Sequence, residues 1–473
     1  MRKNKILTLL LIGFSSIFYT FVNTGCANII PPTGGAKDTI APKLLLANPS
    51  DSTKNFSQKK IFLTFDEYVE LQESRENILI TPTPTIEPTI EAKLKTITIS
   101  LNDSLEQNTT YFFNFGKAIK DINEGIVLNN FTYAFSTGTA IDSLELEGKV
   151  VLAETGNIDS SLIVMLHSSS EDSALIKENP RYISKLDGKG NFKFRFLPAR
   201  KFYLYALKDE GRSHKYFSNT QLFAFAESPV EISSNSLPVT LFAFAEKKET
   251  TSQPSNLSQN RVADAANRRL KYTTSISNQQ HDLLIPFSIN FEQPLKNVDT
   301  SMLILSTDSS FNTIENYHWE IDSLRKKIEL KMEWKENTHY NLILQKNVAE
   351  DSVERKLLKT DTLFFTTKNN SQYGSLKIQF SNFDVSKNPV IQFIQNNQLV
   401  SSFPLTTSEF SRAIFPPGDY ELRILFDENK NGKWNAGDFF NKRKQPEIVK
   451  QIEQRITIKP DWDNEFDMNF PSK

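Results

Sequence analysis

Apolar and polar residues alternate with a period of two along most of the chain beyond residue 43. Runs of this kind include Ile61, Leu63 and Phe65; Tyr111, Phe113 and Phe115; Ile328, Leu330 and Met332; and Tyr420, Leu422 and Ile424. Such strands carry one apolar face and one polar face, as half-buried antiparallel strands do. Helical periodicity is confined to Glu67–Asn77, Ser258–Arg269 and Ala349–Lys359. The pattern therefore predicts an all-β protein of tandem β-sandwiches.

Two ordered sets of residues recur along the chain. Asn108-Thr109-Thr110-Tyr111 returns as Asn337-Thr338-His339-Tyr340, and Phe135-Ser136-Thr137 returns as Phe365-Thr366-Thr367. In a second set, the pairs with a fixed spacing are Phe192 and Phe410, Pro198 and Pro416, Phe202 and Tyr420, and Asp209 and Asp427. The repeats predict a duplicated pair of modules, A1–B1–A2–B2.

The predicted organisation follows from these repeats and from composition. Its parts are a signal peptide (1–25), a Pro- and Gly-containing tether (26–42), A1 (43–140), B1 (141–247), a linker (248–272), A2 (273–368) and B2 (372–471). The polar segment between B1 and A2 is compatible with a linker or with a short helix, and a linker with a helical end is favoured.

The N-terminus has the pattern of an export signal. Arg2, Lys3 and Lys5 precede an apolar run from Ile6 to Val22, and the chain's single cysteine, Cys26, follows Gly25. An uncleaved signal anchor and a plain secretory signal remain alternatives. The Gly25-Cys26 pair resembles the lipobox of bacterial lipoproteins. That resemblance implies cleavage before Cys26 and lipidation of its thiol, which would place the protein on a membrane.

Longer motifs in the tether and in A1 resemble a lipoprotein family common in Bacteroidetes, whose members carry a bacterial Ig-like domain of the SbsA (S-layer) type. They are Pro32-Thr33-Gly34-Gly35, Phe65-Asp66-Glu67-Tyr68-Val69, Asn108–Gly116, Asp121–Gly125 and Phe135–Gly138. B2 resembles transthyretin-like or carboxypeptidase-regulatory-like sandwiches through Phe410 and Pro416-Pro417-Gly418-Asp419-Tyr420. The resemblance implies tandem Ig-like and transthyretin-like sandwiches in the cell envelope and implies no catalysis. The residues after Cys26 lack an acidic cluster, which favours the periplasmic face of the outer membrane over the cell surface.

The net charge and the lack of common catalytic motifs exclude several classes of function. The chain has 55 basic and 56 acidic residues, a formal charge of −1 that offers no bulk field for nucleic acid. It contains no G-x-S-x-G, P-loop or G-x-G-x-x-G motif, and its five histidines lack metalloprotease spacing. The acidic pairs Asp66-Glu67 and Asp121/Glu124 suit either glycoside hydrolysis or strand-end turns, and turns are favoured. The sequence predicts a non-enzyme.

One segment in B2 matches the spacing of a calcium loop. Its candidate ligands are Asp427, Asn429, Asn431, Asn435 and Asp438 through side-chain oxygens and Lys433 through its carbonyl, with Gly432 at the bend. The equivalent B1 segment carries Arg212 and Lys215, which would repel a cation. With two carboxylates, calcium would bind weakly, at about 10⁻⁴–10⁻³ M. The alternative, an Asn/Gly turn held by its own side chains, is favoured over calcium. No other cofactor is expected.

These observations predict a lipid-anchored structural or interaction protein of the cell envelope that presents its sandwiches to other envelope proteins or to polysaccharide. The alternative is an accessory lipoprotein that binds or degrades glycans. That function would need an acid pair in one cleft or an exposed aromatic platform, for which Trp319, Trp334, Trp434 and Trp462 are the candidates.

Overall fold

A computed structural model describes residues 38–247, 269–307, 312–314 and 316–470. The signal peptide, Cys26, most of the tether and nearly all of the interdomain linker, including the helical candidate at 258–268, lie outside the described residues. Strands dominate, and the α-helices are single turns, α1 (Ser74–Asn77) and α2 (Ala174–Lys177). The all-β prediction is confirmed. In the part of the chain that the structure describes, no helix has the length and apolarity to cross a bilayer.

The first compact unit ends at Ile141. Its strands are β1 (Leu44–Asn48), β2 (Lys60–Phe65), β3 (Val69–Leu71), β4 (Leu79–Thr81), β5 (Thr89–Lys93), β6 (Thr96–Ser100), β7 (Thr110–Asn114), β8 (Ile119–Asp121), β9 (Val127–Leu128) and β10 (Thr132–Ser136). They form sheets in the orders β1-β2-β6-β5, β10-β7-β4 and β3-β8-β9. The inward side chains of these strands, among them Phe65, Phe113 and Phe135, build one aromatic core.

The second compact unit begins at Asp142, and its first sandwich corresponds to B1. Its strands are β11 (Leu144–Leu152), β12 (Leu162–His167), β13 (Tyr182–Lys185), β14 (Asn191–Leu197), β15 (Lys201–Lys208), β16 (Phe223–Phe225), β17 (Val230–Glu231) and β18 (Val239–Ala243). The sheet orders are β14-β11-β18 and β13-β12-β15-β16, with β17 beside β15. The first and last strands, β11 and β18, pair in parallel.

The next sandwich, in A2, repeats the order of the first unit. Its strands are β19 (Tyr272–Thr274), β20 (Gln280–His281), β21 (Phe287–Phe291), β22 (Leu295–Val298), β23 (Leu303–Thr307), β24 (Asn312–Thr313), β25 (His318–Ile321), β26 (Lys327–Lys331), β27 (His339–Leu344), β28 (Ala349–Asp351) and β29 (Asp361–Thr367). The sheet β19-β21-β26-β25 corresponds to β1-β2-β6-β5, and β29-β27-β23 corresponds to β10-β7-β4.

The last sandwich, in B2, repeats the order of B1. Its strands are β30 (Gly374–Ser381), β31 (Pro389–Gln395), β32 (Gln398–Pro404), β33 (Glu409–Phe415), β34 (Gly418–Phe426), β35 (Ile448–Ile458) and β36 (Asp463–Asn469). The sheets are β33-β30-β36 and β32-β31-β34-β35, and the first and last strands again pair in parallel. The two sheet patterns therefore each occur twice, as the sequence repeats predict.

The repeated Asn-Thr turn has the same hydrogen bonds in both A modules. Asn108 and Asn337 both adopt a left-handed conformation, with φ of 50° and 46°. The amide N–H of the following threonine donates to a threonine hydroxyl at the end of the closing strand, Thr109 to Thr137 and Thr338 to Thr367, at 3.0 Å in each case. Asparagine tolerates this backbone better than most residues, which explains why it stands at both positions.

Two predicted helices are wrong. Within Glu67–Asn77, residues Val69–Leu71 form β3 and only Ser74–Asn77 is helical. Ala349–Lys359 begins with β28, which pairs with β22. In both segments the strand is three residues long, too short for a period-two pattern to appear. The strands exist because they pair with β8 and β22, and this tertiary contact overrides local periodicity.

Candidate functional sites

Three carboxylates meet at the end of β8 in the first unit. Oxygens of Glu67, Asp121 and Glu124 all lie within 4.8 Å of one another. Asp121 is fully buried, and its two oxygens accept the backbone N–H groups of Asn123 at 2.7 Å and Glu124 at 2.8 Å. The neighbouring Asp66 also hydrogen-bonds to the backbone, since its carboxylate accepts the N–H of Lys43. The predicted acid pairs therefore do come together, with Asp121 holding a turn.

The negative charges in this acidic cluster repel one another. Burial and the nearby carboxylate of Asp121 raise the pKa of Glu67, and the same two causes raise the pKa of Glu124. Burial alone would raise the pKa of Asp121, but the N–H groups of Asn123 and Glu124 outweigh it and lower that pKa. Asp121 is thus the carboxylate that stays ionised, while its two neighbours are destabilised by its charge.

The equivalent position in A2 is built differently. Asp351 at the end of β28 is also fully buried, and it accepts the N–H of Arg355 at 2.9 Å and the Nε–H of Arg355 at 2.7 Å. The register of β22 against β28 places Leu295 where Val69 lies, so Gln293 takes the position of Glu67. A2 therefore keeps the buried turn-holding aspartate and the glutamate three residues after it, Glu354, but has an amide at the position of Glu67 and an arginine, Arg355, paired with the aspartate.

Replacing Glu67 by glutamine, as A2 does naturally, should stabilise the first unit at neutral pH. Because the folded-state pKa of Glu67 is raised, the folded unit binds a proton more readily than the unfolded chain, and ionised Glu67 opposes folding. Wild-type stability should rise as the pH falls from neutral toward pH ~5, and Glu67→Gln should lose the part of that rise that comes from Glu67, leaving the part from Glu124. Hydrogen exchange of the Ile119–Asp121 amides at both pH values measures this.

The exposed strand residue Glu91 provides the matched control for that measurement. Glu91→Gln should leave both the neutral-pH protection and its pH dependence unchanged. Equal protection of the wild type and Glu67→Gln at neutral pH would contradict the repulsion described for this cluster.

The calcium-loop candidates in B2 separate into two groups. Asp427 is buried and accepts the N–H groups of Asn431 and Gly432, while the side-chain amides of Asn429 and Asn431 both hydrogen-bond to that of Asn435. Lys433 donates its N–H to Asn431 Oδ1. Asp438 lies in a separate turn, where its carboxylate accepts the N–H and Nδ2–H of Asn441. These hydrogen bonds thus join Asp427 and the three asparagines into one group. The Asp438 side chain hydrogen-bonds to Asn441 instead.

Glu447 is a buried carboxylate of this loop that the sequence spacing missed. It is 1% exposed, and its oxygens accept the N–H groups of Glu428 at 3.1 Å and Asn435 at 2.8 Å. Its backbone carbonyl accepts the indole N–H of Trp434 at 2.7 Å. Burial and the charge of Asp427 raise the pKa of Glu447. Glu447 lies just before β35, outside the motif spacing, so only its strand-end position hinted at a role.

The corresponding B1 loop keeps this turn geometry. Asp209 accepts the N–H groups of Ser213 and His214, as Asp427 accepts those of Asn431 and Gly432. His214 has a φ of 54° where Gly432 has 75°. A glycine adopts this left-handed backbone without steric cost, whereas a histidine is strained there. The shared turn is therefore a property of the fold, and the asparagines are particular to B2.

The segment between this loop and β35 locks B2 to B1. Phe439 is fully buried in an aromatic cluster of B1, with its ring centroid 4.9 Å from that of Phe225 and 5.2 Å from that of Phe223. Gln445 Nε2 donates to the carbonyl of Phe225, and the N–H of Val449 donates to the carbonyl of Ala153. We call this contact, centred on Phe439, the interlock.

The four tryptophans do not form a platform. Trp319 and Trp334 pack against the A2 core, and Trp434 packs beside the interlock. Trp462 is the exposed one, at 61%, and Lys459 Nζ lies 4.6 Å from its ring centroid. The aromatic surface that glycan binding through stacked tryptophans would require is therefore missing from the described residues.

The structure so far defines a protein of tandem β-sandwiches with turn-holding buried carboxylates. Residues 38–137 match the family model described as a bacterial Ig-like domain, which confirms that part of the resemblance. No curated protein matches the chain.

Similar solved structures include three bacterial proteins. The N-terminal part of the bacterial S-layer protein SbsC is 16% identical, with 44% of each chain covered and a TM-score of 0.16. The Bacillus anthracis TIE protein is 11% identical over 93% of this chain and 76% of that one, with a TM-score of 0.16. BcpA, the major pilin subunit of Bacillus cereus, is 7% identical over 69% of this chain and 99% of its own, with a TM-score of 0.16. The chain thus spans less than half of the SbsC fragment.

Proposed function

We propose that this chain is a lipid-anchored, non-enzymatic protein of the bacterial cell envelope, which holds its sandwich modules in a fixed arrangement for contact with envelope proteins or polysaccharide. The interlock is the observation that carries the proposal. A buried aromatic from B2 inserted in B1 fixes two modules that are separated in sequence by all of A2, and a structural role requires such fixed geometry.

The polar groups support the same function. The buried aspartates Asp121, Asp351 and Asp427 each accept backbone N–H groups from the turn that follows a strand. A carboxylate engaged in this way stabilises a loop and is not available to attack or protonate a substrate. The same device serves both A modules and B2, as expected for residues whose role is to hold the fold.

Membrane attachment is proposed to occur through Cys26, on the periplasmic face of the outer membrane. Stable anchoring needs more than one acyl chain, which a diacylglyceryl group supplies. Growth with an alkyne-tagged fatty acid should label the mature protein, and Cys26→Ser should abolish the label.

A matched control for that experiment is Ser15→Ala, which changes a small residue of the apolar run and leaves Gly25-Cys26 intact. It should retain the label. Label on the Cys26→Ser protein, or none on the wild type, would exclude lipidation at this residue. Protease treatment of intact cells distinguishes the faces, because a periplasmic protein is protected until the outer membrane is opened.

Calcium at Asp427, Asn429 and Asn431 remains part of the proposal, as an accessory ion of the B2 loop. The donor set suits a hard cation, although Asp427 already accepts two N–H groups. For a weak site, 10 mM calcium should stabilise the second unit by about 1–3 kcal/mol, read as a rise in melting temperature. Asp427→Ala should remove this response.

Asp209→Ala, at the equivalent position of the B1 loop, is the matched control and should leave the calcium response intact. A wild-type melting temperature that does not change with calcium would refute the proposed ion. An equal rise with magnesium would assign the effect to ionic strength or to nonspecific binding.

A further inference from the structure

A polar cleft lies between B1 and B2 on the outer face of the second B2 sheet. Its volume is about 830 Å³, within the range of about 300–1,000 Å³ found for small-molecule sites. B1 contributes Glu154 and Thr155 to one side, and the asparagine-rich loop of B2 contributes Asn431 and Asn435 to the other. Because the interlock fixes B1 against B2, both walls of the cleft are held in place.

The floor of the cleft is a row of polar residues on adjacent strands. In the registers of β31 with β32 and with β34, Gln392 lies opposite both Ser402 and Arg423. These side chains alternate with the core residues Phe393, Leu422 and Ile424, so they point away from the sandwich interior. Outward-facing strand residues are normally solvated, yet Gln392 and Arg423 are each only 6% exposed.

One of these two side chains, Arg423, has a buried donor without a partner. Arg423 Nε is shielded from water and makes no hydrogen bond within the described part of the chain. The nearby carboxylates of Glu421 and Glu154 act on the guanidinium electrostatically and raise its pKa, but burial lowers the pKa more. A buried guanidinium N–H without an acceptor costs free energy, and a ligand that supplies an acceptor would recover it.

The remaining lining has the chemistry of a sugar site. Amide side chains line the cleft at five positions, Gln392, Asn397, Gln398, Asn431 and Asn435. An amide both donates and accepts, as a sugar hydroxyl does, so a set of amides suits a polyhydroxylated ligand. The side chains of Ile394, Leu399 and Trp434 add apolar surface against which the C–H face of a sugar ring can pack.

We propose that this cleft binds an acidic saccharide, with a hexuronate carboxylate at Arg423 and the sugar hydroxyls at the amides around it. The planar guanidinium suits a carboxylate because it can donate two parallel hydrogen bonds. Arg423 and Gln392 select the acid, and the asparagine-rich loop contacts the neighbouring sugar. This inference deepens the proposed function by naming the class of polysaccharide, and it rests on that function for the ligand's source.

The test is calorimetric titration of the full-length Cys26→Ser chain with tetragalacturonate and with the neutral galactotetraose. Binding of the acidic oligosaccharide alone is expected. Arg423→Met should weaken it by roughly ten- to hundred-fold, because a charge-assisted pair is lost. Gln392→Leu keeps the charge and should weaken binding by roughly five- to tenfold. The control Arg195→Met, at an exposed arginine on β14, should bind as the wild type does.

Several outcomes would overturn the proposal. They are no binding of tetragalacturonate at millimolar concentration, equal binding of the neutral sugar, and equal affinity of Arg423→Met and Arg195→Met. Binding of an acetylated dipeptide in place of the sugar would show that the cleft takes peptide carboxylates instead. If Arg423→Met does not fold, as judged by melting, Gln392→Leu decides the question. Failure of any of these leaves the Cys26 labelling result untouched, so the cleft and the anchor are judged separately.

Discussion

Replacing Phe439 by alanine is expected to lower the free energy of unfolding of the second unit by about 3–5 kcal/mol. Phe439 is fully buried, and its ring contacts those of Tyr205, Phe223 and Phe225 in B1. Removing the ring loses this burial and leaves a cavity that the β-sheet framework around it cannot close. Urea unfolding monitored by tryptophan fluorescence measures the change, since Trp434 packs against the same cluster.

The neighbouring Phe440 offers the matched control. It is 36% exposed and touches the cluster at its edge, so Phe440→Ala should cost clearly less than Phe439→Ala. A loss below about 1 kcal/mol for Phe439→Ala would mean that B1 and B2 are held together by other contacts. The interlock would then no longer support a fixed arrangement of these modules.

Replacing Asp351 by alanine is expected to destabilise A2 by about 3–5 kcal/mol. The carboxylate is fully buried, pairs with Arg355 and accepts the N–H of Val353 at 3.1 Å. Its removal leaves a largely buried guanidinium and backbone N–H groups without acceptors. Burial would raise the pKa of Asp351, but hydrogen bonds and the charge of Arg355 lower it. The stability it contributes is therefore full above pH ~4 and lost as the pH falls below that value.

Chemical denaturation at neutral pH and near pH 3 tests both parts of this prediction. The wild type should exceed Asp351→Ala in stability at neutral pH, and the difference should shrink in acid. Glu354→Ala, at a largely exposed side chain in the same turn, should change stability by less than about 0.5 kcal/mol. A difference between wild type and Asp351→Ala that is the same at both pH values would refute the ionised role of Asp351.

The strands, the sandwich class and the duplication could be predicted because their signals are local. Alternation at Tyr111, Phe113 and Phe115 reports one buried face, and the Asn-Thr turn repeats with its own hydrogen bonds. The interlock could not be predicted, since Phe439 stands in a loop where no periodicity tells burial from exposure. Alternation would place Arg423 in solvent, but the residue is only 6% exposed, in a cleft lined by residues of both B1 and B2.

The acidic cluster, too, could be predicted only in part from the sequence. Its residues were visible as candidate acids, but their proximity depends on the pairing of β3 with β8, and the sequence suggested a helix there. Glu447 was missed for a related reason. Its partners Glu428 and Asn435 lie 19 and 12 residues before it in the sequence and meet it only through the fold of the loop.

The parallel pairing of the first and last strands in B2 has a mechanical consequence. Seven residue pairs, from Ser375 with Asp463 to Ser381 with Asn469, join β30 to β36. Because the strands run in the same direction, the chain enters the module at one end and leaves it at the other. Tension applied to these two ends would shear all the interstrand bonds together rather than unzip them one at a time. Such a module would resist stretching between its two ends.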